Sequence, residues 1–147
     1  MEILRAMDIS GSALTATRLR LDTIANNLAN ANTTRTAQGG PYRRQMVVYA
    51  PRGEQVQWMY PGIEPSPEFR GRGVRVAGVV DDPSAFKRVY DPGHPDADTS
   101  GYVSMPNVNP VTEMVDMMAA TRAYEANVSA ITAARSMAER ALEIGRS

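Results

Sequence analysis

Residues 113–131 read EMVDMMAATRAYEANVSAI, and their apolar side chains recur at seven-residue intervals. The repeat continues towards the end of the chain in two rows that lie three residues apart. The first row holds Met114, Thr121, Val128 and Leu142, with Arg135 as an exception, and the second holds Met117, Tyr124, Ile131 and Ala138. Two such rows predict a single long helix with a narrow a/d seam. Asn109 and Pro110 suit its first turn, and Gly145 is a natural stop.

A second heptad pattern occupies residues 1–31, which contain no proline. One row holds Met7, Leu14, Leu21 and Leu28, and Ile24 and Ala31 continue a row three residues later. Ser10 and Thr17 weaken the first half of that second row. We therefore predict a second long helix with its own narrow seam. Two such helices at opposite ends of a chain can pair as a coiled-coil-like domain.

The middle of the chain, residues 38–108, holds every proline except Pro110 and most of the glycines. Its short alternating or β-branched runs, YRRQMVVYA, VQWMY, GVRVAGVV and FKRVY, predict strands separated by loops. The predicted fold class is therefore α+β, with long N- and C-terminal helices and a small β-rich central extension. We divide the chain into the N-terminal helix (1–35), the β-rich extension with its loops (36–108) and the C-terminal helix (109–147).

Composition narrows the classes of function. Sixteen basic and sixteen acidic residues cancel in 147 residues, which disfavours a general nucleic-acid binder. The first half, residues 1–75, carries a net charge of +4 and the second half −4, a distribution that suits head-to-tail packing of copies. The absence of cysteine excludes disulfides and thiolate metal sites.

The beginning of the chain, MEILRAMDISGSAL, lacks the apolar core of a cleaved signal peptide because Glu2, Arg5 and Asp8 interrupt it. No apolar run elsewhere approaches the ~20 residues that a membrane-spanning helix requires. We therefore expect neither a cleaved signal peptide nor a direct membrane span.

Arginine dominates the basic residues, which favours fixed bidentate pairs across an interaction surface over the exterior of a soluble enzyme. The segment PYRR, residues 41–44, places Arg43 and Arg44 beside a tyrosine, as a nucleic-acid interface can. Isolated arginines on a strand are more often solvated or paired. We prefer that second interpretation here.

An asparagine-rich segment, IANNLANANTT, spans residues 24–34. Asparagine is a poor helix former and tolerates the left-handed conformation, so this run is expected to end the first helix. A segment that only ends a helix needs one asparagine, however, and this one contains four. Asn26 and Asn30 lie one turn apart, on a face that can offer amide hydrogen bonds to neighbouring chains.

The stretch DPGHPDADTSGYVSMPN, residues 91–107, resembles a metal site because it combines one histidine with three aspartates: His94, Asp91, Asp96 and Asp98. Part of it matches a calcium loop, but the twelfth position is Asn107 and the preceding YDPGHP cannot form an entering helix. Catalysis is disfavoured because no serine or cysteine lies in a nucleophile setting. We interpret the stretch as a polar loop that connects the β-rich extension to the last helix, and we expect no metal, no cofactor and no enzymatic activity.

Several blocks of this sequence resemble one protein family. ANNLANANT, residues 25–33, together with the heptad-bearing C-terminal helix, is similar to the axial proteins of the bacterial flagellum. The segments GGPYRRQ (39–45), YDPGHPDAD…GYV…PNVN (within 90–109) and residues 113–131 resemble the proximal-rod members of that family. Ala85 and Arg135 depart from the family pattern, in which proline and lysine are expected.

The resemblance implies a structural subunit that assembles helically into the hollow drive shaft of the flagellar basal body, transmits torque and passes exported subunits. The implied partners are copies of itself, other rod proteins, the membrane-ring/rod adaptor and the flagellar type III export apparatus, in the periplasm. Two alternatives stay open: another rod- or hook-type axial protein and, more distantly, a helical adaptor protein.

The heptad rows and the asparagine run together predict an assembly interface. Its residues on the first helix are Met7, Leu14, Leu21, Ile24, Asn26, Asn27, Leu28 and Asn30. Its residues on the last helix are Met114, Met117, Tyr124, Asn127, Val128, Ile131 and Leu142.

Overall fold

The computed structural model describes residues 2–52 and 72–145 of the chain. Within these two ranges, a helix at each end flanks four short strands in the sequence: α1 (Glu2–Ala29), β1 (Gln45–Pro51), β2 (Val74–Asp81), β3 (Lys87–Tyr90), β4 (Tyr102–Met105) and α2 (Pro110–Ile144). This arrangement confirms the predicted α+β class with long terminal helices and a small β-rich centre. The predicted strand VQWMY, residues 56–60, lies outside the described residues.

The limits of α2 are those expected from its capping residues. The side chain of Asn109 accepts a hydrogen bond from the backbone N–H of Val111 at 3.1 Å, and Pro110 is the first helical residue. At the other end, the backbone N–H of Gly145 bonds to the carbonyl of Ala141. With 35 residues in α2 and 28 in α1, the helices are about 52 and 42 Å long.

The two helices pack as an antiparallel pair. Asn27 near the end of α1 bonds to Glu113 at the start of α2. Arg20, about two turns before Asn27, bonds to Asp116, which follows Glu113 in α2. Further along, Ala16 of α1 and Ala120 of α2 line the same cavity. Small side chains let the helix backbones approach closely, so the pair has a thin interior rather than a broad apolar core.

The buried seam of α2 differs from the predicted one on one of its two rows. Met117, Ile131 and Ala138 of the second predicted row are half-buried, and Tyr124 in the same row is at the edge of exposure. The first predicted row is wrong for the single chain because its members are exposed: Met114, Thr121, Val128 and Leu142. The row that points inward lies one residue earlier and consists of Glu113, Ala120, Asn127 and Ala134. On α1, Ile24 is buried, while Met7, Leu14, Leu21 and Leu28 are half-buried.

The strands β1 and β2 form an antiparallel hairpin that packs against α1, with an irregularity between Val48 and Tyr49. The backbone N–H of Val74 donates to the Ser12 hydroxyl at 3.0 Å, which ties the start of β2 to the middle of α1. Gly73 has a φ of +92°, and a Cβ at this position would overlap the Ser12 hydroxyl. Glycine is therefore required for this close approach.

The strands β3 and β4 form a second antiparallel hairpin. The predicted strand FKRVY is confirmed as β3, but β4 corrects the interpretation of residues 91–107 as a connecting loop throughout. The rings of Tyr90 and Tyr102 meet edge to face with centroids 5.2 Å apart. Gly101, with a φ of +79°, turns the chain into β4, and a Cβ there would lie 2.9 Å from the Tyr90 ring.

Candidate functional site

A fully buried carboxylate lies at the start of α2. The capped first turn places Glu113 on the inner side of the helix, where its exposed fraction is 0%. An ionised carboxylate without partners would be costly in this position, so its two oxygens need positive or donating groups. Asn27 of α1 donates to Oε2 at 3.0 Å, and Nε of Arg44 donates to Oε1 at 2.6 Å.

Asn27 uses its whole amide group inside the chain. Its nitrogen donates to Glu113 and also to the carbonyl of Gln45 at 2.9 Å. Its oxygen accepts from the Gln45 backbone N–H and from the Tyr42 hydroxyl, both at 2.9 Å. With 1% of its surface exposed, this side chain joins α1 to the first residue of β1 and to α2, and it has no amide left to offer to neighbouring chains.

Arg44 connects α2 to the turn that follows β2. Besides Glu113, its guanidinium lies 3.5 Å from a carboxylate oxygen of Asp82 and 3.6 Å from one of Asp116. Burial by itself would lower the pKa of Arg44, but the hydrogen bond and negative charge of Glu113, followed by those of Asp82, raise it above its ordinary value. The guanidinium is therefore a permanent cation in the centre of three carboxylates.

Backbone groups complete this arrangement. The backbone N–H of Arg44 donates to Asn107 in the β4–α2 linker at 2.8 Å. The amide nitrogen of Asn107 in turn donates to the carbonyl of Asp82 and to the hydroxyl of Ser84. We call Asn27, Arg44 and Glu113 the polar joint. It is the place where both helices, β1, the β2–β3 turn and the β4–α2 linker meet.

Every buried side-chain nitrogen or oxygen in residues 2–52 and 72–145 has a hydrogen-bond partner. The polar joint is therefore fully satisfied. Such a network specifies one arrangement of its elements because its hydrogen bonds are directional, whereas removing one member leaves a buried charge or amide unpaired.

The first two turns of α2 have the opposite polarity to an ordinary amphipathic helix. Their carboxylates, Glu113 and Asp116, point towards the rest of the chain, where Arg20 and Arg44 hold them. Apart from the half-buried Met117, their apolar side chains are exposed to solvent and form what we call the apolar face: Val111, Met114, Val115 and Met118. The exposed fractions of this face range from 49% for Met114 to 68% for Val111. Exposed contiguous apolar surface of this kind is typical of a protein–protein contact.

The other end of α2 extends beyond α1. Asn27 lies beside Glu113 in the antiparallel pair, so Glu2, the first residue of α1, is level with about residue 138 of α2. We call residues 139–143 the overhang. Leu142 in the overhang is 70% exposed. A single helical turn or two with little buried surface is marginally stable, so we expect the overhang to gain order from a neighbour.

The predicted interface residues divide into two groups. Those exposed on the chain are Asn26, Met114, Tyr124, Val128 and Leu142. The others are at least partly covered by the chain itself, with Ile24 and Asn27 buried and Met7, Leu14, Leu21, Leu28, Asn30, Met117, Asn127 and Ile131 half-buried. The exposed group is available to neighbouring chains directly.

The aspartates around His94 shape their own loop. Asp91 accepts from the Gly93 backbone N–H, and Asp98 accepts from the backbone N–H groups of Ser100 and Tyr102. Asp96 accepts from the Thr34 hydroxyl at 2.8 Å, which fastens the loop to the segment after α1. Across the described ranges, no three His, Cys, Asp or Glu side chains converge as a metal site would require.

The arginines of PYRR are engaged within the chain. Arg43 donates to the carbonyls of Asp82 and Ser84 and lies over the Phe86 ring at 4.3 Å. Arg44 belongs to the polar joint. The interpretation of these arginines as paired side chains is confirmed. Neither described helix has an apolar stretch long enough to cross a membrane.

Sequence reasoning does not identify Glu113 and Arg44 as partners. They are 69 residues apart, and Glu113 is expected at the start of α2 simply to complement the helix dipole. One signal is present, however. Apart from Met117, the apolar residues of 111–118 do not share the face that the later heptads bury, which indicates that the start of α2 is held largely by something other than apolar packing.

Comparison with known proteins gives a consistent result over the chain. A family described as "Flagella basal body rod protein" matches residues 7–35, and one described as "Flagellar basal body rod FlgEFG protein C-terminal" matches residues 99–144. Relatives that carry the name "Flagellar basal-body rod protein FlgC" include three that illustrate the similarity. The one from Borreliella burgdorferi is 47% identical over 98% of both chains. The one from Bacillus subtilis is 44% identical and the one from Salmonella typhimurium 40%, each over 99% of this chain and 100% of the relative.

Proposed function

Because the chain belongs to the family of the flagellar basal-body rod protein FlgC, we propose that it builds the proximal part of the rod. It is a structural subunit of the flagellar basal body. In this role, copies stack helically into a hollow shaft that transmits torque and lets exported subunits pass.

The observation that carries this proposal is the inverted polarity of the first two turns of α2. The side chains of Met114, Val115 and Met118 face solvent. The carboxylates of Glu113 and Asp116, in the same two turns, face inward. The single chain gives these apolar side chains little cover, and a soluble enzyme gains nothing from such a face. A subunit that must bind its neighbours does gain from it, because apolar burial supplies the association energy.

We propose that neighbouring rod subunits contact the exposed members of the predicted interface, Asn26, Met114, Tyr124, Val128 and Leu142, together with the rest of the apolar face. The half-buried members act indirectly by holding the helix pair in shape. Asn27 acts only through the polar joint, since its amide is already used. The division into a helical core (1–35 and 109–147) and a β-rich extension (36–108) belongs to the same proposal.

The family membership supports assembly with other rod components. The finer partners that we propose are further copies of this chain, the membrane-ring/rod adaptor and the flagellar type III export apparatus. The corresponding location is the periplasmic rod, and the role is mechanical rather than catalytic. The alternative of another rod- or hook-type position in the same shaft would give a different copy number and height in a density map of intact basal bodies.

The test uses a flagellated bacterium whose only copy of the protein is this chain or its variant. Val115→Asp and Met118→Asp should abolish rod formation and motility, because each places a charge on an apolar contact. Ser129→Asp, at an exposed polar position of the same helix, is the matched control and should swarm normally. The purified Val115→Asp chain should unfold at the same urea concentration as the parent. Normal rods from both apolar-face variants would refute the proposal.

A further inference from the structure

We propose that Arg44 is a positioning residue for assembly: it holds the first two turns of α2 with their carboxylates inward, so that the apolar face stays presented to neighbouring subunits. The docking part of this inference rests on the proposed function, whereas the positioning part concerns the single chain. Arg44 touches no neighbour in this scheme and acts through Glu113 and Asp116.

Residues 110–118 are held in place mainly by charged side chains. On the inner side of this segment, Glu113 and Asp116 are the groups that reach across to other elements. Arg44 contacts both, at 2.6 and 3.6 Å, while Arg20 contacts Asp116 at 3.3 Å. Met117 is half-buried, and the first fully buried apolar residue of α2 is Ala120. Charge pairing therefore replaces most of the apolar packing over these two turns.

Without Arg44, the segment 110–118 would lose the counterion of Glu113. Glu113 would be an ion in a buried site with one amide as its partner, and a buried ion without its counterion is strongly unfavourable. Rolling the segment about its axis would bring the carboxylates to water. The same movement would turn Met114 and Val115 towards the chain. Hydration of the carboxylates and burial of the apolar side chains would both be favourable. Arg44 is what prevents it.

The neighbouring arginine provides a matched control. Arg43 contacts the carbonyls of the β2–β3 turn and the ring of Phe86. It lies on the same strand entry and carries the same charge, but its contacts are with a different element. Replacing Arg43 therefore removes an arginine from the segment 41–44 without removing the counterion of Glu113.

The experiment measures amide hydrogen exchange of the purified full-length chain. In Arg44→Met, exchange of residues 110–118 should accelerate by about tenfold or more, while residues 120–134 keep the parent rate. Arg43→Met should leave both segments at the parent rate. The double variant Arg44→Met/Glu113→Gln removes the unpaired charge and should recover most of the lost protection. Unchanged protection in Arg44→Met, equal acceleration along all of α2, or no recovery in the double variant would each overturn the inference.

Motility of the same variants separates this inference from the proposed function. Arg44→Met should block rod assembly, and the double variant should restore it at least in part. If Val115→Asp blocks assembly while Arg44→Met loosens residues 110–118 and still builds normal rods, the positioning inference fails and the proposed function stands. If Val115→Asp assembles normally, the proposed function fails, and the exchange data alone decide whether Arg44 positions the segment.

Discussion

The two ends of α2 differ in how the rest of the chain holds them. At its start, the polar joint satisfies Glu113 completely within one chain. At its end, Leu142 in the overhang is exposed to solvent. The ion pair between Arg135 and Glu139, where the overhang begins, is exposed as well. Exposed pairs of this kind contribute little to stability. The start of the helix is thus fixed by directional contacts within the chain, while the end has few such contacts, and we expect a neighbouring subunit to order it.

A subunit can therefore adopt one specific arrangement of its helices and strands without a large apolar core. A directional polar network fixes the angle between helices and hairpin, whereas apolar surface alone would permit several arrangements. The apolar side chains that are not used for folding then remain for assembly. Substitutions at the fixed start of α2 should therefore affect folding more than substitutions at its exposed end.

The largest effect is expected at the polar joint. Asn27→Asp replaces the donor to Glu113 with a second carboxylate and removes the donor to the Gln45 carbonyl. Two buried carboxylates in contact should destabilise the chain by about 3–5 kcal/mol, measured by urea unfolding at neutral pH. Asn26→Asp, at the exposed neighbouring position, should change the free energy of unfolding by about 0.5 kcal/mol or less. Equal losses in the two variants would show that burial of Asn27 is not what matters.

The next effect separates folding from assembly on the heptad rows. Leu28→Asp and Ile131→Asp place a charge on half-buried positions of the helix pair and should cost about 1.5–3 kcal/mol of stability as well as rod assembly. Val128 is 41% exposed, so Val128→Asp should leave the unfolding of the purified chain nearly unchanged and still block assembly. The measurements are urea unfolding and electron microscopy of basal bodies. Normal rods from Val128→Asp would remove its row from the interface.

The sequence predicts those parts of the fold that depend on neighbouring residues. Asn109 and Gly145 limit α2 because capping involves side chains and backbone groups a few residues apart. The strands β1, β2 and β3 follow from their own alternating or β-branched composition. The missed strand, β4, is four residues long and lies within a segment dominated by turn-forming aspartates and prolines, so its pairing with β3 decides its state.

The sequence predicts one of the inward rows of α2, that of Met117 and Ile131, but not the other. A heptad assignment selects the row with the larger apolar residues, which here gives Met114 and Val128. The structure buries Ala120 and Ala134 instead, because small residues allow the helices to approach, and it buries Glu113 because Arg44 compensates its charge. That pairing joins distant parts of the chain, and no local pattern specifies it. Asn27 illustrates the same limit, since its membership of an asparagine run is visible but its burial is not.

A smaller effect is expected at the open end of α2. Because the overhang lacks a packing surface on α1, it should open locally much more often than the paired part of the helix. Trypsin should therefore cut the purified chain after Arg140 at least about tenfold faster than after Arg122, which lies opposite α1. Time-resolved mass spectrometry gives both rates. Equal rates, or protection of Arg140 in the monomer, would show that the overhang is ordered without neighbours.

The smallest effect concerns acid stability of the loop between β3 and β4. Backbone hydrogen bonds from Tyr102 and Ser100, together with Arg88 at 2.7 Å, hold the pKa of Asp98 below its ordinary value of 3.8. A carboxyl whose pKa is lower in the folded chain adds stability above the ordinary pKa and loses it as the pH falls through the folded value. Asp98→Asn should therefore lower the urea midpoint slightly at pH 7, and the gap to the parent should close as the pH falls below 3.8 and through the lowered pKa of Asp98. Asp91→Asn, which removes a carboxylate that accepts from Gly93 in the same loop, is the control for the loss of a charge there. A gap that stays constant from neutral to acid pH would mean that the ionised form of Asp98 contributes nothing, and that this loop, unlike the polar joint, is held by its backbone alone.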